Sequence, residues 1–379
     1  MKIAIICSNF VSMTKNVIRG TEVFDYTLID NLVKEDKNLD ITAFVSGDSK
    51  LPVKIESVDY QPSASDKSII QRNKHIIFEL ALLSKAFSMQ DNFDLYHINI
   101  GDGDIALPFT PFVKKPILIT LHYTQDSEYI NKYFSLFKKY LNVYFVSISN
   151  TQRKFFPDLN YATTIYNGIE IEQFKFNPDG GEAMMWAGRA VPDKGLETVF
   201  EIIHKLGRNV KIFLLRKDEY LDWLNKLITA QENLISSKRI SLEFEKDRND
   251  LVLDYQTSKL FLFPIQWEEP FGLVLTEAMA CGTPVIAYAR GSVPEIIKDG
   301  ETGFIVNPSD QDIRGNWIIK KTGLDGLCEA VEKIYSMSKG EYQKMRLKCR
   351  THVEKNFTAQ RMTKDYLKVY ETISDAFPV

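Results

Sequence analysis

Short apolar runs alternate with longer segments whose apolar positions recur at helical spacing along nearly the whole chain. In the first half the runs at 2–7, 40–45, 95–98, 117–121 and 143–148 read as strands. Helices are expected between them at 22–33, at 69–87, where Ile69, Ile76, Ile77, Leu80 and Leu83 share a face, and at 129–140. Strand and helix patterns in alternation predict βαβ units and a mostly parallel sheet. The pattern breaks at Asn167-Gly168 and again at Asn177-Pro178-Asp179-Gly180-Gly181, a turn cluster that no helix or central strand would carry. A second alternating series then starts, with strands expected at 183–187, 210–215, 240–244, 260–263, 284–287 and 303–306. Residues 358–376 place Met362, Tyr366, Leu367, Val369, Tyr370 and Ile373 in a final helical pattern after that series is complete. The expected fold class is therefore α/β, with two Rossmann-like domains. The first comprises 1–168 plus 357–379, its last helix crossing back, and the second comprises 169–356.

Composition narrows the classes. At 379 residues, 44% hydrophobic and 26% charged, the chain is long enough for two cores and is not of disordered or low-complexity type. Lys and Arg number 47 against 50 Asp and Glu, a net charge of −3 that offers no overall electrostatic reason to bind nucleic acid. Cys7, Cys281, Cys328 and Cys349 lie far apart and form no CxxC pair, so neither a zinc site nor a disulfide framework is expected, and a reducing cytoplasm suits them. The opening run Ile3-Ala4-Ile5-Ile6-Cys7 is too short for a signal peptide and reads as a buried first strand. No stretch approaches the roughly 18 apolar residues that span a bilayer.

The densest chemistry lies in Glu268-Glu269-Pro270-Phe271-Gly272-Leu273-Val274-Leu275-Thr276-Glu277. A strand ends near Phe263, a loop displays Glu269, Gly272 removes side-chain bulk, and a helix starts with free backbone N–H groups. Such a helix start favours an anion, because unsatisfied donors and the helix dipole point the same way. Glu269 and Glu277 flank that position. Carboxylates there are poor partners for phosphate and good acceptors for sugar hydroxyls beside it. The alternative is a helix whose acids only complement its dipole. Arg189 and Lys194, five apart across a loop at the end of the second domain's first strand, supply fixed cations at the usual ligand-binding edge of such a sheet.

The spacing Glu269 to Glu277, followed by Ala278-Met279-Ala280-Cys281-Gly282-Thr283-Pro284-Val285-Ile286, resembles that of retaining GT-B glycosyltransferases of glycosyltransferase family 4. Trp186-Ala187-Gly188-Arg189 with Asp193-Lys194-Gly195-Leu196, Arg290-Gly291-Ser292-Val293-Pro294-Glu295, Asp299-Gly300-Glu301-Thr302-Gly303-Phe304 and Tyr166-Asn167-Gly168-Ile169 extend the likeness. The resemblance implies two domains facing across a cleft, with a nucleotide-sugar donor on the second and the acceptor on the first. It implies that Arg189 and Lys194 contact the diphosphate, Glu277 the ribose, Glu269 the donor sugar, and that backbone N–H groups of Phe271, Gly272, Leu273 and Val274 meet sugar and phosphates. In the first domain Gly20-Thr21-Glu22 resembles the family's glycine loop, with Thr21 where a second glycine often stands. His122, directly after the strand 117–121, stands where the family carries a histidine on the donor sugar, followed here by Tyr123.

With cations on the diphosphate, no metal and no further cofactor are expected. Asp102-Gly103-Asp104 is read as a turn rather than a metal-binding DxD. The acceptor is a glycan, a lipid-linked molecule or a small molecule, and UDP-linked donors are favoured because they are common in the family. Two loops depart from its pattern, Arg216-Lys217-Asp218-Glu219 and Glu245-Lys246-Asp247-Arg248, both where the nucleotide base would lie. His97 is expected to make a structural hydrogen bond, while His75, His204 and His352 have no evident partners. Residues 131–140 interleave aromatics with lysines. They would either touch an anionic membrane as a peripheral contact or pack on the first sheet with lysines outward. Rival readings are a nucleotide-sugar epimerase, a phosphorylase on the same scaffold, or a non-catalytic sugar-nucleotide-binding subunit. A dinucleotide-dependent dehydrogenase is disfavoured, since Ser8-Asn9-Phe10 is no GxGxxG fingerprint.

Overall fold

A computed structural model describes residues 1–123 and 128–377. Its contacts divide the chain into two compact units, Met1–Gly168 with Ala359–Val379, and Ile169–Thr358.

The first unit is built on a seven-stranded sheet of β1 (Lys2–Ile6), β2 (Asp40–Phe44), β3 (Lys54–Glu56), β4 (Leu95–Ile98), β5 (Ile117–Leu121), β6 (Val143–Ser147) and β7 (Tyr161–Thr164). The order is β3-β2-β1-β4-β5-β6-β7, with every pairing parallel. The central strands β4 and β5 are buried along their whole length, which is why they read as near-continuous apolar runs rather than as alternation. Around the sheet lie α1 (Gly20–Glu35), α2 (Lys67–Gln71), α3 (His75–Ser88) and α4 (Glu128–Ser135).

The second unit has a six-stranded sheet of β8 (Met184–Arg189), β9 (Val210–Leu215), β10 (Ile240–Phe244), β11 (Leu260–Phe263), β12 (Val285–Tyr288) and β13 (Gly303–Val306). Its order is β10-β9-β8-β11-β12-β13, again parallel throughout. Its helices are α5 (Leu196–Leu206), α6 (Leu221–Thr229), α7 (Glu232–Ser236), α8 (Leu251–Gln256), α9 (Leu273–Ala280), α10 (Val293–Ile296), α11 (Gly323–Tyr335) and α12 (Lys339–Asn356). The chain enters and leaves this unit side by side, the N–H of Ile169 donating to the Phe357 carbonyl at 2.9 Å.

Strand order reverses between β1 and β4 in one sheet and between β8 and β11 in the other. Loops leaving such neighbours diverge to opposite faces and open a crevice at the carboxyl edge, where doubly wound sheets bind ligands. In the second unit those loops are 190–195 and 264–272, which carry Lys194 and Glu269.

The last helix, α13 (Ala359–Ala376), packs on the first unit beside α1, with Met362, Tyr366, Val369, Tyr370 and Ile373 buried. The Tyr370 hydroxyl meets Nδ1 of His97 at 2.7 Å, Nε2 of the same ring meets Oγ1 of Thr120 at 2.7 Å, and the Tyr366 hydroxyl lies 3.0 Å from that Oγ1. His97 is therefore a fully satisfied core histidine, and burial lowers its pKa to about 3.

Three sequence expectations need correction. The expected helix 69–87 is two helices, because Asn73 adopts a left-handed φ of 51° and ends α2 in a turn before α3. The edge strands β3 and β7 escaped notice, being short and only partly buried. Two of the histidines thought to lack partners have them. Nε2 of His204 meets Gln231 Oε1 at 2.6 Å, and Nε2 of His352 meets the Ile296 carbonyl at 3.0 Å.

Candidate functional site

The crevice in the second unit is assembled by its own loops. The N–H of Gln266 donates to the Asp193 carbonyl at 2.8 Å, so the loop after β11 is tied to the loop after β8. Lys194, half-buried, donates from Nζ to Oε2 of Glu269 at 2.7 Å. The indole N–H of Trp267 reaches the same oxygen at 2.9 Å, and the Lys194 ammonium sits 4.8 Å from the Trp267 ring centroid. One carboxylate oxygen is thus shared by two donors, while the lysine is held by charge on one side and a π-face on the other. Arg189, at the end of β8, is exposed and has no ion pair among the described residues, leaving its guanidinium available.

The backbone around Glu269 is fixed from the far side. Gly291 (φ 56°) approaches so closely that a Cβ there would fall 2.2 Å from the Glu269 carbonyl oxygen, a space only glycine leaves. The N–H of Ser292 donates to that carbonyl at 2.8 Å, and the Ser292 hydroxyl to the Phe271 carbonyl at 2.8 Å. Glu268 accepts from the Gly291 N–H at 2.6 Å and pairs with Arg314 at 2.6 Å and Arg290 at 3.4 Å, and Asp312 pairs with both arginines. Gly272, in the left-handed region at φ 83°, forms the N-cap of α9 without any side-chain cap. The first-turn N–H groups of Leu273 and Val274 have no acceptor within the helix and lie beside Glu269, a ready cradle for an anion.

One turn into α9, Glu277 is buried. Its Oε1 accepts from Nε of Arg248 at 2.6 Å and its Oε2 from the Tyr255 hydroxyl at 3.2 Å. Sequence reasoning missed Arg248, Trp267 and the network on Glu268. A signal for the first existed, since Arg248 lies in the loop noted above as departing from the family pattern. The structure thus gathers Lys194, Glu269, Gly272, Leu273 and Val274 in one place, with Glu277 on the same helix and Arg189 on the same sheet edge.

His122 and Gly20 belong to the first unit. His122 follows β5, is 8% exposed, and packs edge-on against Phe24 with ring centroids 4.8 Å apart. Burial lowers its pKa to about 3, so the imidazole is neutral near pH 7, and Nε2 has no hydrogen-bond partner among the described residues. Asp102 explains its setting. One carboxyl oxygen accepts from the backbone N–H groups of His122 at 3.0 Å and Tyr123 at 2.9 Å, while burial raises the pKa to about 7. Asp102 is a backbone clamp at a turn, with Gly103 at φ 70°. Gly20 is the first residue of α1, and a Cβ there would meet nothing within 4 Å, so the fold itself does not demand glycine.

Near the same edge, Glu79 of α3 reaches the loop after β1. Its Oε1 accepts from the Ser8 hydroxyl at 2.7 Å, and both its oxygens lie 3.0 Å from the Asn9 N–H. Burial raises its pKa to about 7 despite these bonds.

Comparisons with known proteins bear on the family and the fold. Residues 169–334 match the family model described as glycosyl transferases group 1. Spore coat protein SA of Bacillus subtilis (strain 168) is 26% identical over 257 residues, which are 59% of this chain and 62% of that protein. The chain therefore matches less than two thirds of that relative's length. Among solved structures, sucrose-phosphate synthase from Thermosynechococcus elongatus superposes with a TM-score of 0.75 at 17% identity, covering 99% of both chains. Anabaena HepE in complex with UDP-glucose gives 0.71 at 16% identity, covering 99% of this chain and 100% of that one. At such identities the likeness is one of fold, the GT-B arrangement of two Rossmann-like domains.

Proposed function

We propose that the chain is a retaining glycosyltransferase that moves a sugar from a nucleotide-diphosphate sugar to an acceptor hydroxyl, a reading supported by the match of residues 169–334 to the glycosyl transferases group 1 model. The observation that carries this reading is Lys194 held against Glu269 beside the uncapped start of α9. A diphosphate at that helix start meets backbone N–H groups and two cations. Lys194 has three N–H donors, so it can keep Glu269 and still donate to phosphate, while Arg189 offers a planar fork. Glu269 then accepts from hydroxyls of the donor sugar. Glu277, fixed by Arg248 and Tyr255, accepts from the ribose through its remaining lone pairs.

In the transfer, the bond between the anomeric carbon and the phosphate oxygen breaks, and the acceptor oxygen bonds to the anomeric carbon on the same face. The acceptor proton passes to an oxygen of the departing diphosphate. Arg189 and Lys194 stabilise the charge that develops there. They supply in protein form the positive charge a metal would otherwise bring, so turnover is expected to persist in chelator. His122, neutral and with Nε2 unpartnered, is suited to hydrogen-bonding a sugar hydroxyl.

UDP is the favoured nucleotide, supported by the UDP-glucose in the HepE complex. The test is a panel of UDP, GDP and ADP sugars, scored by calorimetry for binding and by nucleotide release with and without acceptor. Acceptor-dependent release from one donor is expected. Epimerised donor formed without any acceptor would sink the proposal.

A further inference from the structure

The outward side of α3 is unusual for a helix at a protein surface, where charged residues are the norm. The buried side carries Leu82, Leu83, Ala86 and Phe87, and it also takes the helix's one carboxylate, Glu79, which is turned inward onto the Asn9 N–H. The opposite side carries Ile76, Ile77, Leu80, Ala81 and Ser84, all exposed and all uncharged. Ile77 is 51% exposed, and Ile76 and Ile70 are each 40% exposed. Polarity is inverted, with the acid inside and the isoleucines outside.

Cations border this face. Lys67 of α2 and Arg72 and Lys74 in the turn before α3 are exposed, and none forms an ion pair among the described residues. The nearby acid, Asp66, is committed as N-cap of α2, accepting from the Ser68 N–H at 2.7 Å. The segment of the first unit that interleaves aromatics with lysines exposes two large apolar side chains, Leu136 at 62% and Leu141 at 78%, against four at α2 and α3, namely Ile70, Ile76, Ile77 and Leu80. Phe134 of α4 is buried, Tyr133, Phe137 and Tyr140 pack against the same core, and the lysines face outward.

We propose that α3 lies flat on an anionic lipid bilayer, with Ile76, Ile77 and Leu80 in the acyl boundary and Lys67, Arg72 and Lys74 on the headgroups. An exposed apolar stripe bordered by basic residues, with no acid on the exposed side of α3, suits the boundary between acyl chains and anionic headgroups, where each nearby cation adds about 1 kcal/mol. The location also has a use. His75, the first residue of α3, packs edge-on against Phe10 at 5.4 Å, and the Arg19 guanidinium lies 4.5 Å from the centre of the same ring. Phe10 belongs to the loop after β1, at the carboxyl edge of the first sheet. A bilayer seated on α3 therefore borders the edge where, on the glycosyltransferase reading, a lipid-linked acceptor would present its hydroxyl.

The test is flotation of the full chain with vesicles of phosphatidylcholine alone or with about one third phosphatidylglycerol, across a salt series. Binding is expected on the anionic vesicles and is expected to weaken as salt rises. Ile77→Glu should lower the partition at least about tenfold, the worth of one buried aliphatic side chain. Replacing Lys67, Arg72 and Lys74 by serine should lower it about fivefold per cation. Nucleotide binding, measured in parallel, should be unchanged in both variants, so failure of docking and failure of the transferase reading are separately visible. Absence of flotation, or flotation indifferent to both sets of substitutions, would overturn the proposal. So would a concentration-dependent dimer that Ile77→Glu dissolves without any vesicle binding.

Discussion

The carboxyl edges of the two sheets share a topology and solve the same problem with opposite electrostatics. In the second unit, charge is held by opposite charge: Lys194 on Glu269, Arg248 on Glu277, Arg290 and Arg314 on Glu268. In the first unit, Glu79 and Asp102 are buried acids that meet backbone N–H groups and form no ion pair among the described residues, and burial raises both to about 7. One edge is built from ionised groups that a charged ligand can redistribute. The other is built from nearly neutral groups that hold loops in shape. The lesson is that strand order locates a ligand crevice, while the partners of its acids decide what kind of ligand it favours.

The largest expected effect is at the charged edge. Lys194→Ala removes a cation from the proposed leaving group and should lower kcat by about 10²- to 10³-fold, the usual loss for one preorganised donor. Steady-state rates at saturating donor measure it, and an unchanged kcat would break the contrast. At the neutral edge, Glu79→Gln should alter the pH dependence of stability. The folded-state pKa of Glu79 is raised, so the parent binds more protons folded than unfolded between about 4.5 and 7 and loses stability as pH rises through that window. The variant escapes that loss. Its stability relative to the parent should increase from pH 4.5 to pH 7 by up to ~3 kcal/mol, read from urea melts. A constant difference between the two proteins would show that the carboxyl is ionised throughout.

A smaller effect is expected at Arg248→Ala, which leaves Glu277 with only Tyr255. Nucleotide affinity should fall about tenfold by calorimetry, one charge-assisted hydrogen bond's worth, and Arg248→Lys should restore part of it. The smallest effect is at Gly20→Ala. The added methyl meets no neighbour, and stability should stay level or rise by up to ~1 kcal/mol. A loss of activity without loss of stability would then mark Gly20 as a place where a ligand approaches the backbone.

Most strands were legible from their apolar runs, and 95–98, 117–121, 210–215, 240–244, 260–263 and 303–306 fall at their observed bounds, although β10 (240–244) is itself a partly exposed edge strand. The strands missed, β3 and β7, lie at the sheet edge, where burial is partial and the apolar signal fades. The expected helix 69–87 failed on one residue, Asn73, whose left-handed backbone leaves no mark on hydrophobic periodicity. At the site, Glu269, Gly272 and Glu277 were readable from spacing within one segment. Arg248 and Glu79 were not, because their partners, Glu277 of α9 and Asn9 of the loop after β1, are distant in sequence and fixed only by the fold.

The hydrogen bonds of His97 bear on how the protein is made. Its ring is satisfied by Tyr370 and Thr120, and Tyr370 is synthesised only after the whole second unit. Through the synthesis of the entire second unit, the first sheet waits with a core histidine short of a partner and the apolar flank of α1 uncovered. The unit begun first is completed only after the second has been made. A nascent chain arrested before α13 should therefore be a client for chaperones in its first half while its second half is already folded.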